Sequence, residues 1–190
     1  MKSQQHYFLA VRRCTAALSV LLLSMLWTAP ARAQTAEDTL ALQVKAAFLF
    51  NFVKFTTWPE AKFATSTDPI VLCVLEPDPF GAILDNTIKG KTINGRPLLL
   101  RRSTHAAELR SCHLIYLGAS DTGTLTAELK QLAGNSILMI HENAEPLSNG
   151  GIRFLITDRR VRFEVNLSAI ERESLQLSSK LLALSSITRQ

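Results

Sequence analysis

Beyond residue 33 the side chains with the most chemistry to offer are two thiols, Cys73 and Cys112, and three imidazoles, His105, His113 and His141. A catalytic thiol needs a C-x-x-C partner or a cationic, accessible setting. Cys73 instead lies within the apolar run Ile70–Leu75. A structural disulfide is the reading that fits. The histidines offer no second ligand at metal spacing. His141-Glu142 opens like the zinc-protease pattern H-E-x-x-H, but Glu145 stands where its second histidine belongs, and the run closes a strand where that motif needs a helix. Gly90-Lys91-Thr92 looks like the tail of a phosphate-binding loop, yet Asp85 occupies the position of the first glycine. Neither G-x-S-x-G nor a strand followed by G-x-G-x-x-G is present. Asn166-Leu167-Ser168 matches a glycosylation acceptor but reads better as a helix cap. These residues assign no catalytic group, no metal and no cofactor, which favours binding over catalysis. One local charge feature stands out. Arg153, Arg159, Arg160 and Arg162 fall in one hairpin, with Glu164, Glu171 and Glu173 near enough in sequence to offset them in part. A solvated edge is the default reading, and anion or partner docking the alternative.

The compartment follows from the N-terminus. Lys2, Arg12 and Arg13 precede the apolar stretch Cys14–Trp27, and Ala31-Arg32-Ala33 is an A-x-A cleavage site. Residues 1–33 therefore read as a cleaved signal peptide, short for a membrane span, and residues 34–190 as one soluble, exported domain. The leader takes four of the 21 basic residues and none of the 16 acidic ones, so the net charge falls from +5 to +1. With that, the case for nucleic-acid binding disappears. Removing Cys14 leaves an even cysteine pair in an oxidising compartment, which again reads as a Cys73–Cys112 disulfide.

The chain is organised around Leu40–Pro59, which holds four of the nine phenylalanines and no internal glycine or proline. At about 100° per residue, Leu40, Ala41, Val44, Phe48, Phe52 and Phe55 share one face of a helix. Leu42, Ala46, Leu49 and Val53 form a second face, roughly opposite. Lys45 falls with Thr56 in a narrow polar seam. A helix apolar on two sides needs two covers: the domain's own sheet, and either its C-terminal helix or a second chain. Trp58-Pro59 ends it. Ile70–Leu75, Pro97–Arg101, His113–Leu117 and Ser136–His141 predict strands. Between them fall a helix over Phe80–Ile88 capped by Asp78, a small hairpin at Asn94-Gly95-Arg96, a brief helix to Arg110, and another from Asp121 to Leu132. Ile152–Ile156 and the alternating Val161–Val165 predict an antiparallel edge hairpin. Asn166 caps a helix to about Glu173, and a last helix from Ser178 or Ser179 carries Leu181, Leu182, Leu184 and Ile187. The class is α/β: a single compact domain whose mixed, mostly parallel sheet ends in an antiparallel edge hairpin and is flanked by helices. A Cys73–Cys112 bond would make the first and third strands neighbours, as in a doubly wound sheet.

Val44-Lys45-Ala46-Ala47-Phe48-Leu49-Phe50-Asn51-Phe52-Val53-Lys54-Phe55 followed by Trp58-Pro59 resembles the opening signature of the YfiR-like family. The far end agrees through Gly150-Gly151-Ile152-Arg153-Phe154, Val161-Arg162-Phe163-Glu164-Val165-Asn166 and Leu177-Ser178-Ser179-Lys180-Leu181-Leu182. Cys73, Pro79-Phe80-Gly81, Asn94-Gly95-Arg96 and Cys112 fall between in the expected order. The second cysteine pair that some members carry near Gly150-Gly151 is absent, so no redox role of that pair transfers. The resemblance implies a periplasmic repressor that binds the periplasmic sensor domain of an inner-membrane diguanylate cyclase and lowers cyclic-di-GMP and biofilm matrix. It further implies sequestration by an outer-membrane OmpA-like lipoprotein, and a homodimer. For partner or dimer contact the residues suggest the second helix face (Leu42, Leu49, Val53), Trp58, and the hairpin charges Arg153, Arg162 and Glu164. The alternative is a periplasmic small-molecule sensor acting on another membrane partner, with a pocket near Trp58 for an aromatic or anionic ligand.

Overall fold

Six consecutive apolar residues, Ile70–Leu75, form strand β2, and all six are buried. That requires cover on both faces, and two separate hydrophobic clusters, one on each side of the sheet, provide it. The computed structural model describes residues 31–118, 128–142 and 151–188, with side chains from residue 36 onward. Residues Met1–Asp38 and Thr39–Gln190 are two units, and the sheet and both of its cores belong to the second. The hydrophobic leader lies outside the described residues.

After helix α1 (Ala31–Lys54) come β1 (Thr56–Thr57), β2, α2 (Ala82–Ile88), β3 (Thr92–Ile93), β4 (Arg96–Ser103) and β5 (Leu114–Leu117). Then follow β6 (Leu138–Glu142), β7 (Ile152–Thr157), β8 (Arg160–Asn166), α3 (Leu167–Arg172), β9 (Gln176–Leu177), α4 (Ser179–Leu182) and β10 (Ser186–Thr188). Among the described residues the main sheet runs β10-β8-β7-β6-β5-β2-β4-β3. Its centre, β4-β2-β5-β6-β7, is parallel throughout. In chain order that is 2-1-3-4-5, a doubly wound arrangement. β7–β8 and β3–β4 are antiparallel. The mixed, mostly parallel sheet and its hairpin are thus as the sequence implies.

Alternate residues of β2 face two different cores. Ile70, Leu72 and Val74 look toward α1 and share a core with Leu114, Tyr116, Leu138, Ile140, Phe154 and Phe163. Val71, Cys73 and Leu75 join Ala106, Leu109, Cys112, Ile115, Leu132 and Met139 on the other side. On the α1 side Phe48 and Phe52 pack onto Phe154 and Phe163 with ring centroids 5.0–6.1 Å apart. Contacts of this kind contribute about 0.5–1.5 kcal/mol each beyond the area they bury.

Cys73 and Cys112 are bonded, Cα to Cα 6.0 Å, closing a sequence separation of 39. Both are fully buried, and β2 and β5 are neighbours in register Leu72↔Leu114. A loop of this length makes the bond worth about 2–4 kcal/mol, mainly through the unfolded chain. The Cys73→Ala/Cys112→Ala variant should therefore lose that much in urea titration, as should the reduced wild type. A midpoint unchanged by reductant would show that the two neighbouring cores hold this region without the bond.

Two expectations are corrected. The last helix stops at Leu182, and Ser186–Thr188 instead lies parallel to β8 at Glu164–Asn166. Ile187 and Thr188 are β-branched and favour a strand that can bond to an open edge. The outer edge of the hairpin is consequently covered at Glu164–Asn166. Asp78 does not cap α2, whose cap position is Gly81. It accepts the Phe80 N–H at 2.7 Å and the Arg102 Nε–H at 2.6 Å. Of the helix expected over Asp121–Leu132, only the end from residue 128 is described, helical to Lys130.

Candidate functional site

The two apolar faces read from Leu40–Pro59 resolve into one inward arc. Ala46, Leu49, Phe52 and Val53 are fully buried, flanked by half-buried Leu42, Phe48 and Phe50. Leu49 and Val53 therefore belong to the protein's own core, which corrects their assignment to a docking face. Leu42 packs against the same core. The second cover is the chain's own C-terminal segment. β9 pairs with β1 through Thr56↔Leu177, and Leu175 and Leu181 join the cluster. Lys45, placed by periodicity in a polar seam, is buried too, its Nζ 2.6 Å from Glu142 Oε1 at the end of β6. The Tyr116 hydroxyl donates to that same oxygen. Burial first, then this hydrogen bond, raises the phenol well above its usual range. Spacing could not show this triad, since Lys45 and Glu142 lie 97 residues apart.

At the other end of α1, Trp58 is buried and its Nε1–H donates to His113 O at 3.2 Å. Phe63 stacks on the His113 ring at 4.7 Å, and the Arg96 guanidinium lies 3.8 Å above Phe63. Arg96 Nη1 is fixed by the carbonyls of Thr65 and Asp68. Beside this stack opens a cleft of about 180 Å³ whose lining includes Trp58, Glu60, Phe63, Ile93, Asn94 and Arg96. Its aromatic wall suits a flat ligand, and the Glu60 carboxylate lines it together with the Arg96 guanidinium. The sequence pointed to Trp58, but Arg96 and Phe63 carried no signal there beyond the Asn94-Gly95-Arg96 turn.

The hairpin brings Arg153, Arg162 and Glu164 onto one face through the pairs Arg153↔Glu164 and Leu155↔Arg162. Arg153 Nη2 lies 2.5 Å from Glu164 Oε2, so these two occupy each other. Arg162 is exposed. Among the described residues, no group of three or more His, Cys, Asp or Glu side chains is placed to hold a metal ion. No described helix is long and apolar enough to cross a membrane.

A profile of YfiR/HmsC-like proteins matches residues 42–186, from α1 to β10. The chain belongs to the YfiR/HmsC-like family. Its members are periplasmic regulatory proteins of diguanylate cyclase signalling. In this YfiR/HmsC-like domain the matched span holds the disulfide, the Trp58 stack and the hairpin together.

Two buried imidazoles give the YfiR/HmsC-like fold a pH dependence. His113 Nδ1 accepts the Val71 N–H at 3.1 Å, which leaves the proton on Nε2. Burial first, then the cations Lys62 and Arg96, lowers its pKa to about 4. Burial does the same to His141, also to about 4. Neither Nε2 has a hydrogen-bond partner among the described residues. The unfolded chain takes up these protons near the ordinary 6.5, the folded one only near 4. Stability is therefore fully present above pH 6.5 and is lost as the pH falls toward 4. At about 1.4 kcal/mol per pKa unit the loss is on the order of 3 kcal/mol for each histidine, up to about 7 kcal/mol for the pair. Urea midpoints taken from pH 7 to pH 4 should fall, and His141→Leu should flatten the profile. An equal slope in that variant would mean that His141 is solvated.

Proposed function

We propose that this protein is a periplasmic repressor that binds the periplasmic sensor domain of an inner-membrane diguanylate cyclase and holds the cytoplasmic catalytic domain inactive. The observation that carries this reading is the family match over residues 42–186, which takes in nearly the whole of the domain. Export supports it through the leader pattern of Lys2, Arg12, Arg13 and Ala31-Arg32-Ala33, with cleavage before Gln34. A disulfide suits the same oxidising compartment. Repression is a population shift: the protein binds the inactive cyclase conformation more tightly than the active one. Sequestration by an OmpA-like lipoprotein would free the cyclase, and homodimerisation belongs to the same proposal.

The test is cellular cyclic-di-GMP in a strain deleted for this chain. The level should rise, with more matrix and attachment. The exported form should reverse it and a leaderless form should not. An unchanged level on deletion would overturn the repressor reading.

The cleft beside Trp58 favours a second reading, a small-molecule sensor acting on a different membrane partner. Aromatic carboxylates should then raise the melting temperature of the wild type but not of Arg96→Gln, because binding to the native state alone stabilises it. No shift with any such compound would remove this reading.

A further inference from the structure

Beyond Phe154↔Phe163 the hairpin continues as a ribbon of three residue pairs, Leu155↔Arg162, Ile156↔Val161 and Thr157↔Arg160. Among the described residues β6 pairs with β7 as far as Phe154, and β10 covers β8 at Glu164–Asn166. Among the described residues no strand flanks Leu155–Arg162 on either side. A two-stranded ribbon is marginal by itself in water, and this one is not finished like a protected edge. Ile156 is 59 % exposed. It shares a face with half-buried Val161. The stripe Leu40–Val44–Phe48 of α1 runs to the same end of the sheet, since Lys45 meets Glu142 there while Trp58 lies at the start of β5. Phe48 touches Phe154 and Phe163, and Leu40 is 58 % exposed. The buried aromatic core thus runs out into an open apolar strip.

Arg160 and Arg162 lie on the face of the ribbon opposite Ile156 and Val161, and Arg159 sits at the turn that joins the two strands. Residues 155–162 carry Arg159, Arg160 and Arg162 against Asp158 alone, and Arg153 is tied to Glu164. The turn adds an independent observation. Asp158 and Arg159 sit at φ +52° and +57°, the geometry of a two-residue hairpin turn in which the second position favours glycine. An arginine held there trades backbone comfort for a charge at the tip, the kind of outlier from which function is inferred.

We propose that Leu155–Arg162 is the docking surface for the partner, and that the partner face it fits is apolar and bordered by carboxylates. This rests on the repressor reading, in which the protein acts by binding another protein. A second copy is disfavoured, because a symmetric contact would bring the two sets of arginines together. A bilayer is disfavoured as well. The tip itself is Asp158-Arg159, and the apolar pair lies on the side of the ribbon, where it meets a protein surface edge-on.

Ile156→Ser/Arg162→Glu and Arg159→Gly, exported from a strain lacking the native chain, test this against cyclic-di-GMP and periplasmic protein level. The double variant should melt within about 2 °C of the wild type yet leave cyclic-di-GMP at the deletion level. Arg159→Gly should melt at or above the wild type and still repress less, a split that a structural role would not produce. Full repression by both variants, in a strain where deletion raises cyclic-di-GMP, would overturn the surface and spare the function. No rise on deletion would overturn the function and this surface with it. Purified wild type that sediments with phosphatidylglycerol vesicles, or dimerises, through the same residues would replace the protein partner by a membrane or by a second copy.

Discussion

Leu49→Glu is expected to yield no folded protein. Leu49 is fully buried at the middle of the inward arc of α1, in one core with Phe52, Leu72, Tyr116 and Phe154. Losing the leucine there costs about 2–5 kcal/mol by itself. A carboxylate with no partner in that site adds several more. Domains of this size have about 5–15 kcal/mol in all, so the two together consume most or all of it. The variant should lose its cooperative melting transition and be degraded in the periplasm, while Ile156→Ser at the exposed ribbon should melt as the wild type does. A soluble, folded Leu49→Glu monomer would return this side chain to a contact between chains.

The fate of Leu49 turns on what periodicity can and cannot say about Leu40–Pro59. The abundance of apolar residues does call for two covers, and the fold supplies both. Which side of the helix meets the sheet is not in the pattern, because Phe48, Phe52 and Phe55 lie on one side of the cylinder and Leu42, Ala46, Leu49 and Val53 on the other. Only Lys45 could mark the inner side, and it looks like a solvated seam because its partner is 97 residues away. Local signals do better. Ile70–Leu75, the Asn94-Gly95 turn and the Asn166 cap, whose Oδ1 accepts the Ala169 N–H at 3.2 Å, are where composition places them. They depend on neighbours in sequence, and so does the Cys73–Cys112 pairing once the leader is set aside. Strand β10 is illegible for the opposite reason: three residues after a short helix become a strand only because β8 offers an edge. The candidate site divides along the same line. Trp58 and the arginine-rich turn are legible by type. The Arg96–Phe63–His113 stack and the reach of the ribbon past β10 arise from where separate segments meet in space.

Lys45→Met should cost about 3–5 kcal/mol, because it breaks a buried ion pair from one side. Lys45 Nζ and the Tyr116 hydroxyl both serve Glu142 Oε1, and the Lys45 and Glu142 side chains are largely buried. Without the ammonium the carboxylate keeps, among the described residues, a single donor in a site that excludes most water. The double variant Lys45→Met/Glu142→Gln should recover much of the loss. A neutral amide oxygen can still accept from Tyr116, and replacing a whole buried pair by uncharged groups is often close to neutral. Tyr116→Phe should cost less than Lys45→Met, since it removes one donor and leaves the charges matched. Urea midpoints of the four proteins decide it. A Lys45→Met loss under about 1 kcal/mol would mean that the pair is solvated as surface pairs are. A double variant no better than the single would mean that Lys45 acts through its packing. The expected pattern has a functional side, because the pair fastens the first half of α1 to the carboxyl end of β6, beside the Leu40–Val44 stripe and the exposed ribbon. If that strip receives a partner, Lys45→Met should weaken repression more than an equally destabilising change at the far end, such as removal of the disulfide. Equal weakening would mean that repression follows overall stability and that the orientation of α1 carries no separate weight.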